Sequence, residues 1–214
     1  MENNYLKIIF VIDESGSMQG SERDVIGGFN NFVEKQKRED YGKIDVSLYK
    51  FNDQVNRVIN NQPASEVRTL TLEDYNPNNF TALYDAVGQA IHETDKQIAL
   101  IPEAERPNKV MTVIITDGEE NASKFYSGTA IRAIISSHEE LLGWNFIFLG
   151  SGLDNFVDAD VMGAKYRART SKKQFATAME RVSDSSLLFR IAGKKDEKAI
   201  LENLMSDLNK LDDE

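Results

Sequence analysis

Residues 11–20 read VIDESGSMQG and set Asp13, Ser15 and Ser17 at alternate positions directly after an apolar run. Three oxygen-bearing side chains within five residues have two uses. They can close a turn and cap a helix, because Asp and Ser side chains compete for nearby backbone N–H groups. They can also form a claw for a hard cation, since Mg²⁺ takes about six oxygens in octahedral geometry and keeps several of its waters. A second acid, Asp117, stands in TDGEEN (116–121), again directly after an all-apolar run. An Asp before Gly is, taken alone, an ordinary turn pair.

The elements carrying these residues decide how close they come. LKIIFVI (6–12), KVMTVIIT (109–116) and WNFIFLG (144–150) are apolar enough to be strands buried on both faces. KIDVSLYKF (43–51) alternates, and QVNRVINN (54–61) reads as its hairpin partner through Asn52-Asp53. AKYRART (164–170) is the last strand. Helical patterns fill the intervals. The first, over 21–39, has Ser21 as a cap and Val25, Phe29, Phe32 and Val33 as its apolar stripe. Gly27 and Gly28 inside it each cost up to about 1 kcal/mol against Ala, which close packing would explain. A helix over 81–101 shows Leu83, Val87, Ile91 and Ile98 on one face, and one over 171–193 shows Phe175, Met179, Val182 and Phe189. Further helices are predicted over 127–143, 153–162 and 195–211. Strands alternating with helices predict an α/β fold, its mostly parallel sheet covered on both faces. Ligands of such sheets bind beyond the carboxyl ends of the strands. Neighbouring parallel strands would bring Asp13 and Asp117 to that same edge.

At this point DESGSM, FTALYDA and TDGEEN resemble the three loops of the metal-ion-dependent adhesion site in von Willebrand factor type A domains, of the bacterial and phage type. The family pattern is Asp-x-Ser-x-Ser, a distant Thr and a distant Asp. Here these are Asp13, Ser15, Ser17, Thr81 and Asp117, with none substituted. The resemblance covers roughly residues 5–190. It implies a Rossmann-like, doubly wound six-stranded sheet with 54–61 as its one antiparallel strand. It also implies cation-dependent binding, with Mg²⁺ or Mn²⁺ as the ion. Ser15, Ser17 and Thr81 would ligate directly, and Asp13 and Asp117 mostly through bound water. Neutral direct ligands leave the cation's charge poorly compensated, so a Glu or Asp of a protein partner is the expected last ligand. That is a binding mechanism in an assembly or adaptor role, with no catalytic residue and no organic cofactor. Thr81 has a second available role as N-cap of the helix that follows. The implied domain runs over 1–193, with 194–214 as a C-terminal helical extension. Its stripe of Ile200, Leu201, Leu204, Met205, Leu208 and Leu211 must bury against its own domain or a partner.

Composition narrows the alternatives. The 214 residues are 41% hydrophobic and 28% charged, which fits one globular domain. The formal net charge of -10 argues against nucleic acid or an anionic membrane as partner. There is no Cys, so disulfides, zinc thiolates and thiol nucleophiles are excluded. No apolar run approaches the ~18 residues of a membrane span, and the N-terminal run stops at an acid after seven residues, so a cytoplasmic location is expected. A haloacid-dehalogenase-like phosphohydrolase needs Asp-x-Asp after its first strand, and Ser15 stands where the second Asp would be. A serine hydrolase needs a Gly-x-Ser-x-Gly elbow, which does not occur, and the GSG at 150–152 is too short for a nucleotide fingerprint. A structural subunit with a vestigial metal site is the third alternative, and the intact five-residue set counts against it. Glu14, Glu119 and Glu120 read as solvated rim charges. Met18 reads as a packed loop residue, Trp144 as core, and His92 and His138 as isolated helix residues. In KYRARTSKK (165–173), Lys165, Arg167 and Arg169 alternate along an edge strand, where charge blocks further pairing.

Overall fold

The all-apolar runs become the centre of the sheet. In this computed structural model, which describes residues 4–39, 41–151 and 155–213, β1 (Leu6–Asp13) and β4 (Lys109–Thr116) are buried along their whole length. β2 (Ile44–Phe51) pairs parallel to the other side of β1, and β3 (Val55–Pro63) returns antiparallel on β2. β5 (Asn145–Gly150) and β6 (Tyr166–Arg169) extend the sheet parallel beyond β4, giving the order β3-β2-β1-β4-β5-β6. The six strands and the single antiparallel one are as the resemblance implied. The hairpin turns through Asn52, Asp53 and Gln54, where the Asn52 side chain accepts from the Gln54 N–H at 2.9 Å.

Helices cover both faces, in two apolar clusters. On one face lie α1 (Glu22–Arg38), α5 (Phe175–Ile191) and α6 (Lys194–Asn209). On the other lie α2 (Leu83–Ala99), α3 (Gly128–Leu142) and α4 (Asn155–Met162). The predicted stripes of α1 and α5 are the buried ones, with Phe10 of β1 packed edge-on against Phe29 and Phe32. Gly28 has a packing reason. A Cβ there would lie 2.8 Å from the Met179 sulfur and 2.9 Å from the Ala176 Cα, so α1 and α5 approach at a point no larger residue fits. Gly27 meets nothing within 4 Å and has no such reason.

Ser21 stands at the N-cap position of α1 as expected, but its hydroxyl makes no cap bond and donates instead to the Met18 carbonyl at 2.6 Å, closing the short turn before the helix. Thr81 does not cap α2, since Ala82 occupies the cap position and makes no side-chain cap bond. The stripe of α6 is buried on its own domain, where Leu201, Leu204, Leu208 and Leu211 join the α1/α5 cluster. Gln174 holds the end of that segment by donating to the Leu211 carbonyl at 2.6 Å. Edge protection at β6 takes the form of ion pairs: Lys165 meets Glu139 at 2.7 Å, and Arg167 pairs with Asp160. Residues 153–154 of the predicted fourth helix and Gly152 of the GSG lie outside the described residues.

Candidate metal centre

β1 and β4 are neighbours in register, Ile12 beside Ile115, so their carboxyl ends stop together. Chain crossovers leave to opposite sides between these two strands, which makes this edge the topological switch point of the sheet. Asp13 ends β1 with no solvent exposure. Its Oδ1 accepts the Ser15 N–H at 2.7 Å, and its Oδ2 accepts the Thr116 hydroxyl at 2.5 Å. The carboxylate is thus locked between the two strand ends. Burial raises its pKa from 3.8 to about 6, with the Thr116 and Ser15 hydrogen bonds opposing the rise and the Asp117 charge adding to it.

The loop after β1 turns back so that the Ser15 and Ser17 hydroxyls lie 2.9 Å apart. A second loop, 76–81, is stitched against it. The Gly16 N–H donates to the Asn79 carbonyl at 3.0 Å, the Asn78 N–H to the Glu14 carbonyl at 2.9 Å, and the Tyr75 hydroxyl to the Asp13 carbonyl. Thr81 follows, almost wholly buried. Its backbone is fastened to the third loop, with its N–H to the Asn121 side chain at 2.9 Å and its carbonyl accepting from the N–H groups of Asn121 and Ala122.

The oxygens converge at Gly118. A Cβ on this glycine would lie 2.7 Å from the Thr81 hydroxyl, 2.9 Å from the Ser17 hydroxyl and 3.3 Å from Asp13 Oδ2. Two loops therefore aim oxygen atoms at one point on the third, and a side chain as small as alanine would fill it. Asp117, the residue before, has its side chain only 2% exposed. Its Oδ1 is buried with no hydrogen-bond partner, while Oδ2 meets the Lys172 ammonium at 2.5 Å. Two buried carboxylates, three hydroxyls, a backbone gap and an orphaned carboxylate oxygen are a donor set that fits a small hard cation. Among the described residues no three His, Cys, Asp or Glu side chains gather into a metal-ligating group, at this edge or elsewhere; the set here has two carboxylates and otherwise hydroxyls. Hydroxyl donors place the set outside the soft or imidazole-rich class of sites.

The structure brings Asp13, Ser15, Ser17, Thr81 and Asp117 to one cluster, and it corrects the reading of the rim. Glu14 is buried, pairing with Lys50 at 2.7 Å and accepting the Asn76 N–H at 2.6 Å. Glu120 accepts from the N–H groups of Tyr84, Ala122 and Ser123 at 2.8–2.9 Å. Only Glu119 of the three is exposed. Supporting residues went unread in the sequence. Asp85 accepts three consecutive N–H groups, of Lys124, Phe125 and Tyr126, at 2.7–2.9 Å, and Asp158 accepts the Glu120 N–H at 3.0 Å. They hold the third loop from 38 to 41 residues away in sequence, and no local pattern marks them. Met18 and Trp144 are core, as expected. His138 packs edge-on to Trp144 beside the start of β5, and His92 is exposed on α2, so neither approaches this edge.

A mostly parallel, doubly wound sheet with three oxygen-bearing loops at its switch point defines the class. The chain belongs to the von Willebrand factor type A domain family, whose family model matches residues 7–210. Domains of this family are commonly protein-interaction modules. Solved structures of similar fold include the vWF domain of the type V pili tip protein Mfa5 from Porphyromonas gingivalis, with a TM-score of 0.60 and 10% identity over 88% of this chain and 97% of that one. The conserved hypothetical protein BatB from Bacteroides thetaiotaomicron gives 0.58 and 15% over 86% and 98%. Proximal thread matrix protein 1 from the mussel byssus gives 0.59 and 16% over 86% of this chain, which spans 46% of that protein's length. At these identities the likeness concerns the fold. A search of curated protein sequences finds no significant match. Among the described residues no helix is long and apolar enough to cross a membrane.

Proposed function

We propose that the chain is a non-catalytic, metal-dependent protein-binding module. Asp13, Ser15, Ser17, Thr81 and Asp117 hold a Mg²⁺ or Mn²⁺ ion, and a partner's Glu or Asp docks onto it, in an assembly or adaptor role. The observation that carries this reading is the convergence of the Thr81, Ser17 and Asp13 oxygens beside Gly118, next to a buried Asp117 oxygen without a partner. Two buried acids at one point are costly unless a cation meets them. A bound divalent ion supplies that charge and a positive centre for the partner's carboxylate.

The rim supports docking of an acid. Glu14 and Glu120 spend their charge on Lys50 and on backbone N–H groups, so an incoming carboxylate meets mainly Glu119. Hydrolysis lacks its parts. Asp13 is locked by two hydrogen bonds, and neither histidine stands at this edge to act as general acid or base. Calorimetric titration of Mn²⁺ into the wild type and Asp13→Ala tests the reading. We expect binding by the wild type, none by the variant, and partner capture that EDTA abolishes. Ca²⁺ should support capture less well, being larger and preferring more ligands at longer distances. Equal Mn²⁺ binding by the two proteins would remove the assignment.

A further inference from the structure

Lys172 occupies the acidic end of this site from the far side of the chain. It lies in the short turn Lys172–Gln174 that leads into α5, 155 residues from Ser17. Its ammonium meets Asp117 Oδ2 at 2.5 Å and also donates to the Ser17 carbonyl. Both partners belong to the proposed metal-binding residues. The lysine thus bridges the first and third loops, the span that a cation would bridge.

We propose that Lys172 is a built-in counter-cation that closes the metal-free site and has to be displaced for a divalent ion to bind, so that residue 172 sets the metal affinity. This rests on the metal-docking reading above. Asp117 is the shared partner. Lys172 neutralises one of its oxygens and leaves the other orphaned, which a single ammonium at this position cannot correct. A divalent ion at the Gly118 gap and an ammonium on Asp117, the residue beside that gap, are like charges close together, and they repel.

Displacement is local. The backbone of residues 171–174 is fixed by a reciprocal cap, in which the Ser171 N–H donates to the Gln174 side chain at 3.0 Å, and Phe175 is fully buried just beyond. The Lys172 side chain, by contrast, is 37% exposed, so its head can leave for solvent while the turn and the core stay in place. Lysine suits this use, being a compact charge on a flexible stem with no fixed fork geometry. Lys173, the next residue, is exposed and makes no contact with the site among the described residues, which provides an internal control.

The test uses the full chain, stripped with EDTA, and Mn²⁺ alone as the probe. Calorimetry compares wild type, Lys172→Met, Lys172→Gln and Lys173→Met. Removing the competing charge at residue 172 should tighten Mn²⁺ binding by about tenfold, equivalent to about 1.4 kcal/mol, and Lys173→Met should bind as the wild type does. In EDTA, Lys172→Met should melt below the wild type, because Asp117 then has no cation at all, and saturating Mn²⁺ should close that gap. The glutamine variant guards against a folding defect peculiar to methionine at this turn. Equal or weaker Mn²⁺ binding by both residue-172 variants overturns the counter-cation while leaving the metal site standing. If neither the wild type nor any variant binds Mn²⁺ at millimolar concentration, both readings fall together.

Discussion

Asp13→Asn, measured without metal, probes the electrostatic cost on which the account depends. The Asp13 carboxyl is fully buried, and its pKa rises from 3.8 to about 6. At about 1.36 kcal/mol per pH unit, that difference is roughly 3 kcal/mol against the charged form in the folded chain. The folded chain holds this proton more tightly than the unfolded one. The resulting contribution to stability is therefore fully present below about pH 3.8 and is lost as the pH rises through about 6. Asparagine keeps the shape and can still accept the Ser15 N–H, while the Thr116 hydroxyl is free to bond the Gly118 carbonyl, 3.2 Å away. In EDTA at pH 7.5, urea denaturation should find the variant more stable by about 1–3 kcal/mol, the lower part of that range reflecting weaker hydrogen bonds from a neutral amide. Near pH 4 the two proteins should agree. With Mn²⁺ at a hundred times its dissociation constant, the wild type should gain about 2.7 kcal/mol and the variant nothing. A variant less stable than wild type in EDTA at pH 7.5, or a difference that does not change with pH, would refute the reasoning.

Other perturbations separate the site from the scaffold. Gly118→Ala puts a methyl group against the Thr81, Ser17 and Asp13 oxygens; it should abolish Mn²⁺ binding in calorimetry while costing about 1–3 kcal/mol of stability. Gly28→Ala should destabilise by a similar amount, because its Cβ meets the Ala176 backbone, whereas Gly27→Ala, opening into free space, should stabilise by about 0.5–1 kcal/mol in thermal or chemical denaturation. Leu204→Ala on α6 should cost about 2–5 kcal/mol with unchanged mass by light scattering, since that leucine is buried in the domain's own core.

Much of the fold was legible because its centre is predominantly apolar, interrupted in β1 only by Lys7 and inside β4 only by Thr112. β1 and β4 have no polar face to alternate, so they read as interior parallel strands, and their ends fixed where Asp13 and Asp117 go. The helix stripes followed from spacing alone. The placement of Thr81 was not legible from its neighbours, which suggested a helix cap that Ala82 occupies instead. The rim glutamates were misread for a related reason: the partners that bury their charge are mostly distant, Lys50 at 36 residues from Glu14 and Tyr84 at 36 from Glu120. Lys172 is the extreme case. Nothing in KYRARTSKK distinguishes it from Lys173, and only the folded turn before α5 aims one of the two at the site.

The most direct measurement is a crystal structure of the protein grown with Mn²⁺, with data collected at the manganese absorption edge. The account predicts one strong anomalous peak beside Gly118, within ligand distance of the Ser15, Ser17 and Thr81 hydroxyls, and the Lys172 ammonium withdrawn from Asp117. An absence of density there, with Lys172 still seated on Asp117 at saturating Mn²⁺, would contradict it.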